Sequence, residues 1–392
     1  MRLIFFLVST VLAHALCAQS FESLKTYPFN IDQDNPSGLS WLKNDLETYN
    51  YICTSEFHRT ELAIEQYRQF LLFLMDNGGV DKLVMERPYS YGLWLSEYLK
   101  TGDEFYLKIA TERFWSFDKF HEADKIAHNS YELFRWLYNT LKEKYLSITV
   151  VGIDLDENRH GSLELWSLMH LIEKHEMASL FPNSIQQLEL LASKEDENSI
   201  GTLKKWMANF EKEYSPQKAL IQQKMNGETV FENTVQSLKD VVVYGNGNSQ
   251  SARDYRESVM LRNFKREVNP TDRIYAQFGA GHIANDKLSN GYTGFMSMLQ
   301  KDPIYANRTL AITIHCINCR VSKNTDANIP YRLEEEGSGY YTNDGAYFLP
   351  DNDTRHLLFK HLGHQSTAID LRSATGNMDD LDQIFQWMII LF

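Results

Sequence analysis

Tyr51-Ile52-Cys53-Thr54-Ser55-Glu56-Phe57-His58-Arg59 is the stretch whose reading decides the fold. Tyr49 to Cys53 is aromatic and β-branched enough to read as a strand. Thr60 to Met75 carries an apolar helical pattern in Leu62, Ile64, Tyr67, Phe70, Leu71 and Leu74. Glu56 and His58 therefore fall in a strand-to-helix turn, the place where open α/β sheets bind ligands. The Gly78-Gly79 pair closes the helix as a left-handed cap. Asp81 to Met85 gives the next strand, after a crossover of the length a parallel βαβ unit needs.

That second strand runs into Glu86. The same grammar recurs where Ser147 to Ile153 runs apolar into Asp154, and where Arg273 to Phe278 runs into Gly279-Ala280-Gly281-His282. Strand ends thus deliver Glu56 and His58, Glu86, Asp154 and His282. The expected fold class is α/β, a central and mostly parallel sheet flanked by helices.

Residues 1–18 hold Arg2, an apolar run from Leu3 to Leu12 and small residues around Cys17-Ala18, which is the pattern of a secretory signal cleaved after Ala18. Cys17 raises the alternative of a lipoprotein, although Leu16 stands where a small residue is wanted. No later stretch is apolar enough to cross a bilayer, so a soluble, exported protein without membrane insertion is expected. Its roughly 370 mature residues suit one α/β domain over 19–392 that has absorbed an insertion. The formal charge of -13 repels phosphate backbones and anionic lipids, so a nucleic-acid partner is not expected.

Loss of the leader leaves Cys53, Cys316 and Cys319. The Cys-x-x-Cys is either a local disulfide or a redox pair, with no second pair to make a zinc ribbon. It follows the strand Leu310 to His315, and a structural bridge is the reading preferred here. Cys53, in mid-strand, reads as a small buried hydrophobe.

Trp94, Tyr98, Phe105, Phe114, Trp115 and Phe117 make an aromatic-dense region suited to a core or to the lining of a pocket for a ring-bearing ligand. Tyr131 to Lys144 is helical. From Gly161 to about Lys239 the strand signal disappears into helical runs, and we expect a helical insertion over about 161–240 that covers the carboxyl ends of the strands. Tyr244 to Asn248 is a turn whose Gly-x-Gly lacks the strand and third glycine of a nucleotide loop. Ser249 caps a helix bearing Arg253-Asp254, Arg256, Met260, Arg262 and Asn263. Two strands, Thr367 to Leu371 and Phe385 to Phe392, end the chain.

Two carboxylates and two imidazoles at one sheet edge supply what water-driven acyl cleavage needs: a base, a group that orients it and a donor for the developing oxyanion. No Gly-x-Ser-x-Gly elbow is present, so a serine nucleophile is not invoked. The same side chains are also ligands of hydrolytic zinc.

Glu56-Phe57-His58, Glu86, Gly152-Ile153-Asp154, the Arg253-Asp254 helix through Met260 and Asn263, and Gly279-Ala280-Gly281-His282-Ile283 resemble, in order and spacing, the motif series of the erythromycin esterase/ChaN-like superfamily. The resemblance implies that His58 is a general base activating water and that Glu56 and Glu86 are its acidic neighbours. It makes His282 a second imidazole of the pocket, with Arg253 and Asp154 on the substrate side. Ser55 stands where the esterases have glycine, and one residue rather than two separates Glu56 from His58. That spacing is closer to the ChaN branch, implicated in haem binding, while Gly-Ala-Gly-His is shared with ChaN and with metal-dependent TIKI/TraB-type proteases. The leading expectation is a cofactor- and metal-independent hydrolase of an ester, lactone or related acyl bond in a small-molecule substrate. A haem or small-ligand binding protein and a metalloprotease are the alternatives.

Overall fold

Tyr51–Ser55 is a strand with every residue buried, and its burial on both faces explains why Tyr51-Ile52-Cys53 shows no alternation of apolar and polar residues. The computed structural model describes residues 24–32, 34–55, 62–113, 121–156, 162–193, 200–245, 249–286, 291–316, 320–322, 333–335, 358, 360–363, 365–373 and 385–391. The strands in chain order are β1 (Lys25–Pro28), β2 (Tyr51–Ser55), β3 (Lys82–Pro88), β4 (Thr149–Asp154), β5 (Ile274–Phe278), β6 (Thr309–Cys316), β7 (Arg320–Ser322), β8 (Leu333–Glu335), β9 (Thr367–Asp370) and β10 (Trp387–Leu391). The fold is α/β, with mostly parallel sheet flanked by helices, as the sequence leads one to expect. The chain forms two compact units, crossing from one to the other between Asp81 and Lys82 and returning between Val268 and Asn269.

In the first unit the strands run in the order β1-β9-β10-β6-β2-β5. Parallel pairing joins β10 to β6, β6 to β2 and β2 to β5, whereas β9 is antiparallel to both β1 and β10. The helix Leu62–Asn77 buries Tyr67, Phe70, Leu71 and Leu74. Phe70 stacks on Tyr275 of β5 with ring centroids 5.8 Å apart. The helix ends as its glycines require: the N–H groups of Gly78 and Gly79 both donate to the Leu74 carbonyl, at 2.8 and 2.7 Å, and Gly79 takes φ +77°. The lead-in is tied to the end of the chain through Asp45, which accepts from Arg372 Nη1 at 2.6 Å and from Trp387 Nε1 at 2.8 Å. β7 and β8 form a separate antiparallel pair.

The second unit opens with the parallel pair β3 and β4, whose register shifts between Met85 and Pro88. Two glycines bring backbone against backbone beside that shift. A Cβ on Gly152 would sit 1.9 Å from the Pro88 carbonyl oxygen, and one on Gly92, in the helix Tyr89–Thr101, would sit 2.4 Å from the Gly152 nitrogen. Apart from turns and loops, the remaining described elements of this unit are helices, including Ser162–Lys174, Ile185–Ser193, Ile200–Lys224, Val230–Tyr244 and Gln250–Glu267. These helices have a core of their own, in which Phe210 stacks on Phe181 at 4.9 Å and on Trp206 at 5.0 Å. The described residues of 161–240 are helices joined by turns, with no strand among them, and the next helix ends at Glu267. Among the described residues no helix is long and apolar enough to cross a membrane.

Candidate functional site

β2 and β5 are neighbours, parallel and in register, with Ser55 opposite Phe278. Both strands end at those two residues, so the Glu56–His58 motif and the Gly279–His282 motif leave adjacent strands at one carboxyl edge. Glu56 and His58 themselves lie outside the described residues. Ser55 is built into the edge: the Ile314 N–H of β6 donates to its Oγ at 2.7 Å, just past Thr54 and Ile312, the last paired residues of that ladder. A glycine could not make this bond, which gives a physical reason for serine here.

His282 is buried, in a short helical turn Ala280–Ile283 that begins at Gly279, and its N–H donates to the Gly279 carbonyl at 2.9 Å. Its Nδ1 lies 3.2 Å from the Tyr292 hydroxyl, with the two rings edge to face at 77°.

In the second unit Glu86 and Asp154, on adjacent strands, share one cation. Arg256, from the helix Gln250–Glu267, donates from Nε to Asp154 Oδ1 at 2.8 Å and from Nη2 to Glu86 Oε1 at 2.9 Å. A further bond runs from Nη2 to Asp154 Oδ2. This is a bidentate, charge-assisted clamp around a nearly buried Asp154. Asp154 Oδ1 also accepts from the Leu155 N–H at 2.7 Å, and Asn263 Nδ2 donates to the Ile153 carbonyl at 2.9 Å. Glu86 lies within β3 and not beyond its end, because the strand continues through the register shift to Pro88.

Arg253, the arginine singled out from sequence, is exposed on the same helix, and it is Arg256, one turn further on, that meets the carboxylates. The signal for Arg256 was its spacing of three and four residues from the buried Val259 and Met260. Sequence reading also passed over Glu164, fully buried four residues before Leu168 in the helix Ser162–Lys174. Burial, and then the charge of Asp156, push the Glu164 carboxyl well above the ordinary glutamate range, while Ser237 Oγ donates to its Oε1 at 3.2 Å.

The aromatic region divides by burial. Trp94 is core, its Nε1 donating to Ser167 Oγ at 2.7 Å, while Phe105 is exposed and Trp166 and His170 are half-buried beside it. Phe114, Trp115 and Phe117 lie outside the described residues, as does Cys319 of the Cys-x-x-Cys. Cys53 is a free, buried thiol, pushed up by that burial. Among the described residues no group of three His, Cys, Asp or Glu side chains is arranged to hold a metal ion.

No protein-family model matches the sequence, and no curated protein matches it. Solved structures do. A crystal structure of a Bacillus cereus protein superposes with a TM-score of 0.68 at 13% identity, covering 96% of this chain and 97% of that one. A succinoglycan biosynthesis protein gives 0.66 at 14% identity, with 96% of each chain covered. An erythromycin esterase mutant in its open conformation gives 0.62 at 12% identity, covering 94% of this chain and 97% of the other. At nearly full coverage of both chains, the protein has the erythromycin esterase-like fold that its motif series resembles.

Proposed function

We propose that the protein is an exported hydrolase that cleaves an ester, lactone or related acyl bond of a small-molecule substrate with a water molecule activated by His58. His58 takes the proton from water and returns it to the departing alkoxide as the acyl–oxygen bond breaks, Glu56 orients the imidazole, and His282 donates to the oxygen that becomes negative as the carbonyl is attacked. The observation that carries this reading is the register of β2 and β5. With Ser55 opposite Phe278, a Glu-x-His motif and a Gly-Ala-Gly-His motif leave neighbouring strands at the same edge, where open α/β sheets place their chemistry. The fold shared with an erythromycin esterase supports the class of reaction. The leader-like residues 1–18 support export.

The test is a screen of esters and lactones on the purified mature protein, with and without chelator, beside His58→Ala. Hydrolysis that resists the chelator and falls roughly 100-fold to 10,000-fold in the variant is expected. A melting temperature within a few degrees of wild type should accompany it, as for a side chain that serves chemistry and not the core. Activity per folded molecule retained in His58→Ala overturns the proposal. So does a protein that cleaves nothing but develops a Soret band with haemin.

A further inference from the structure

We propose that Tyr292 is a positioning residue that holds His282 in one tautomer, with Nδ1 accepting from the tyrosine hydroxyl and Nε2 carrying the proton. Its kinetic consequence rests on the hydrolase reading above, whereas its structural content does not.

The contact is built by two glycines. After β5 the chain turns at Gly279 into Ala280–Ile283, and the segment from Gly291 onward returns across that turn before entering the helix Phe295–Leu299. A Cβ on Gly294 would lie 2.2 Å from the Gly281 carbonyl oxygen and 3.0 Å from the His282 Cα, so the two backbones touch only because position 294 has no side chain. A Cβ on Gly281 would lie 2.8 Å from Tyr292 Cε1, so the ring crosses the turn through space that this glycine leaves open. Phe295 pins the returning segment by packing edge to face on Phe278 at 5.4 Å. The outcome is the Tyr292 hydroxyl 3.2 Å from His282 Nδ1, with Tyr292 half-buried and His282 buried.

A neutral imidazole has one N–H, and whichever nitrogen accepts a hydrogen bond leaves the proton on the other. A phenol hydroxyl donating to Nδ1 fixes the proton on Nε2, the form that can donate to a developing oxyanion. The opposite tautomer would turn Nε2 into an acceptor, which is useless for that task. Tyr292 therefore acts through His282 and not on the substrate.

The experiment uses the full-length chain with ring-15N histidine, the His282 signals being identified by their loss in His282→Asn. Wild type should show Nδ1 unprotonated and Nε2 protonated. Tyr292→Phe keeps the ring over Gly281 and removes only the hydroxyl, so it should give a mixture of tautomers at an unchanged melting temperature. Gly281→Ala should do the same with the hydroxyl still present, because the added methyl displaces the ring. On the best ester substrate Tyr292→Phe should lower kcat about tenfold and leave KM alone, the scale of one orienting hydrogen bond. A wild-type His282 protonated on Nδ1, or a Tyr292→Phe spectrum like wild type, overturns the positioning role. If the tautomer shifts as described while His58→Ala hydrolyses as fast as wild type, the role proposed for His58 fails and the positioning role stands.

Discussion

Replacing Arg256 with Ala should be among the more damaging single changes in the second unit, and Arg253→Ala among the least. Arg256 donates three charge-assisted bonds to two carboxylates, and its side chain is only 20% exposed, against 11% for Glu86 and 5% for Asp154. Removing it leaves two like charges facing each other with little water to screen them. Breaking a buried ion pair by deleting one partner costs roughly 3–5 kcal/mol. The residual exposure of Arg256 puts the expectation at the lower end, about 3 kcal/mol. Arg256→Lys keeps the charge but loses the planar fork that engages Asp154 through two nitrogens, so roughly half that loss is expected. Arg253 is exposed one turn away, and its removal should stay within about 0.5 kcal/mol. Urea unfolding followed by far-UV circular dichroism measures all three variants on one scale, and any separate transition of the second unit should carry the whole shift. A cost under about 1 kcal/mol for Arg256→Ala, or an equal cost for Arg253→Ala, would refute the assignment of the clamp to Arg256.

Gly152→Ala should destabilise by about 3 kcal/mol or more, because the obstacle 1.9 Å from the new methyl is a main-chain carbonyl that cannot rotate away. Gly227→Ala, at φ +82° with nothing within 4 Å, should cost only the left-handed strain of about 1–2 kcal/mol, and chemical denaturation of the pair separates crowding from strain. For Glu164, whose folded pKa is raised first by burial and then by the charge of Asp156, the folded state binds more protons than the unfolded one. Its contribution to stability is therefore present below the ordinary glutamate pKa and is lost as pH rises through the raised value. Glu164→Gln should flatten that fall and gain on wild type toward alkaline pH; unfolding midpoints that diverge in the other direction would show the carboxyl to be ionised in the fold. Thiol counting under denaturing conditions without reductant should return one, Cys53, if Cys316 and Cys319 are bridged, and three would dismiss the bridge.

Much of the fold is legible locally because both periodicities are strong. The strands carry runs such as Tyr51-Ile52-Cys53 and Leu310 to Ile314, and of the residues its spacing marks the helix from Leu62 buries Tyr67, Phe70, Leu71 and Leu74 and leaves Ile64 half-buried. The helices between Ser162 and Tyr244 are equally plain, with Pro216 tolerated inside Ile200–Lys224. What escapes is what depends on a partner distant in sequence. β1 is only Lys25–Pro28 and wholly exposed by residue, so nothing in its sequence marks a strand. It exists because β9 offers an antiparallel edge. The extension of β3 to Pro88 has the same origin. Arg87-Pro88 reads as a stop, but Gly152 lets β4 approach closely enough to continue the pairing past the register shift.

The site divides along the same line. An acid at a strand end is a local signal, and Glu86 and Asp154 are where that signal puts them, within one residue or two. The arginine that meets them is not local. Arg253, Arg256, Met260 and Asn263 all lie within one broad face of the helix, and the helical period alone does not say which arginine stands opposite Asp154. The choice is made by Asn263. Its side-chain amide donates to the carbonyl of Ile153, the residue before Asp154, and so fixes the helix along its axis against β4. Arg256 lies seven residues earlier, about two turns on the same face, close enough for its long side chain to return to Asp154, while Arg253 stands a further turn away. An asparagine that looks like an ordinary polar residue in a helix is thus the ruler for the ion cluster. Asn263→Leu, apolar and of similar size, should loosen the Arg256 clamp even though it touches neither charge, and a double-mutant cycle between Asn263→Leu and Arg256→Ala should show their costs to be less than additive.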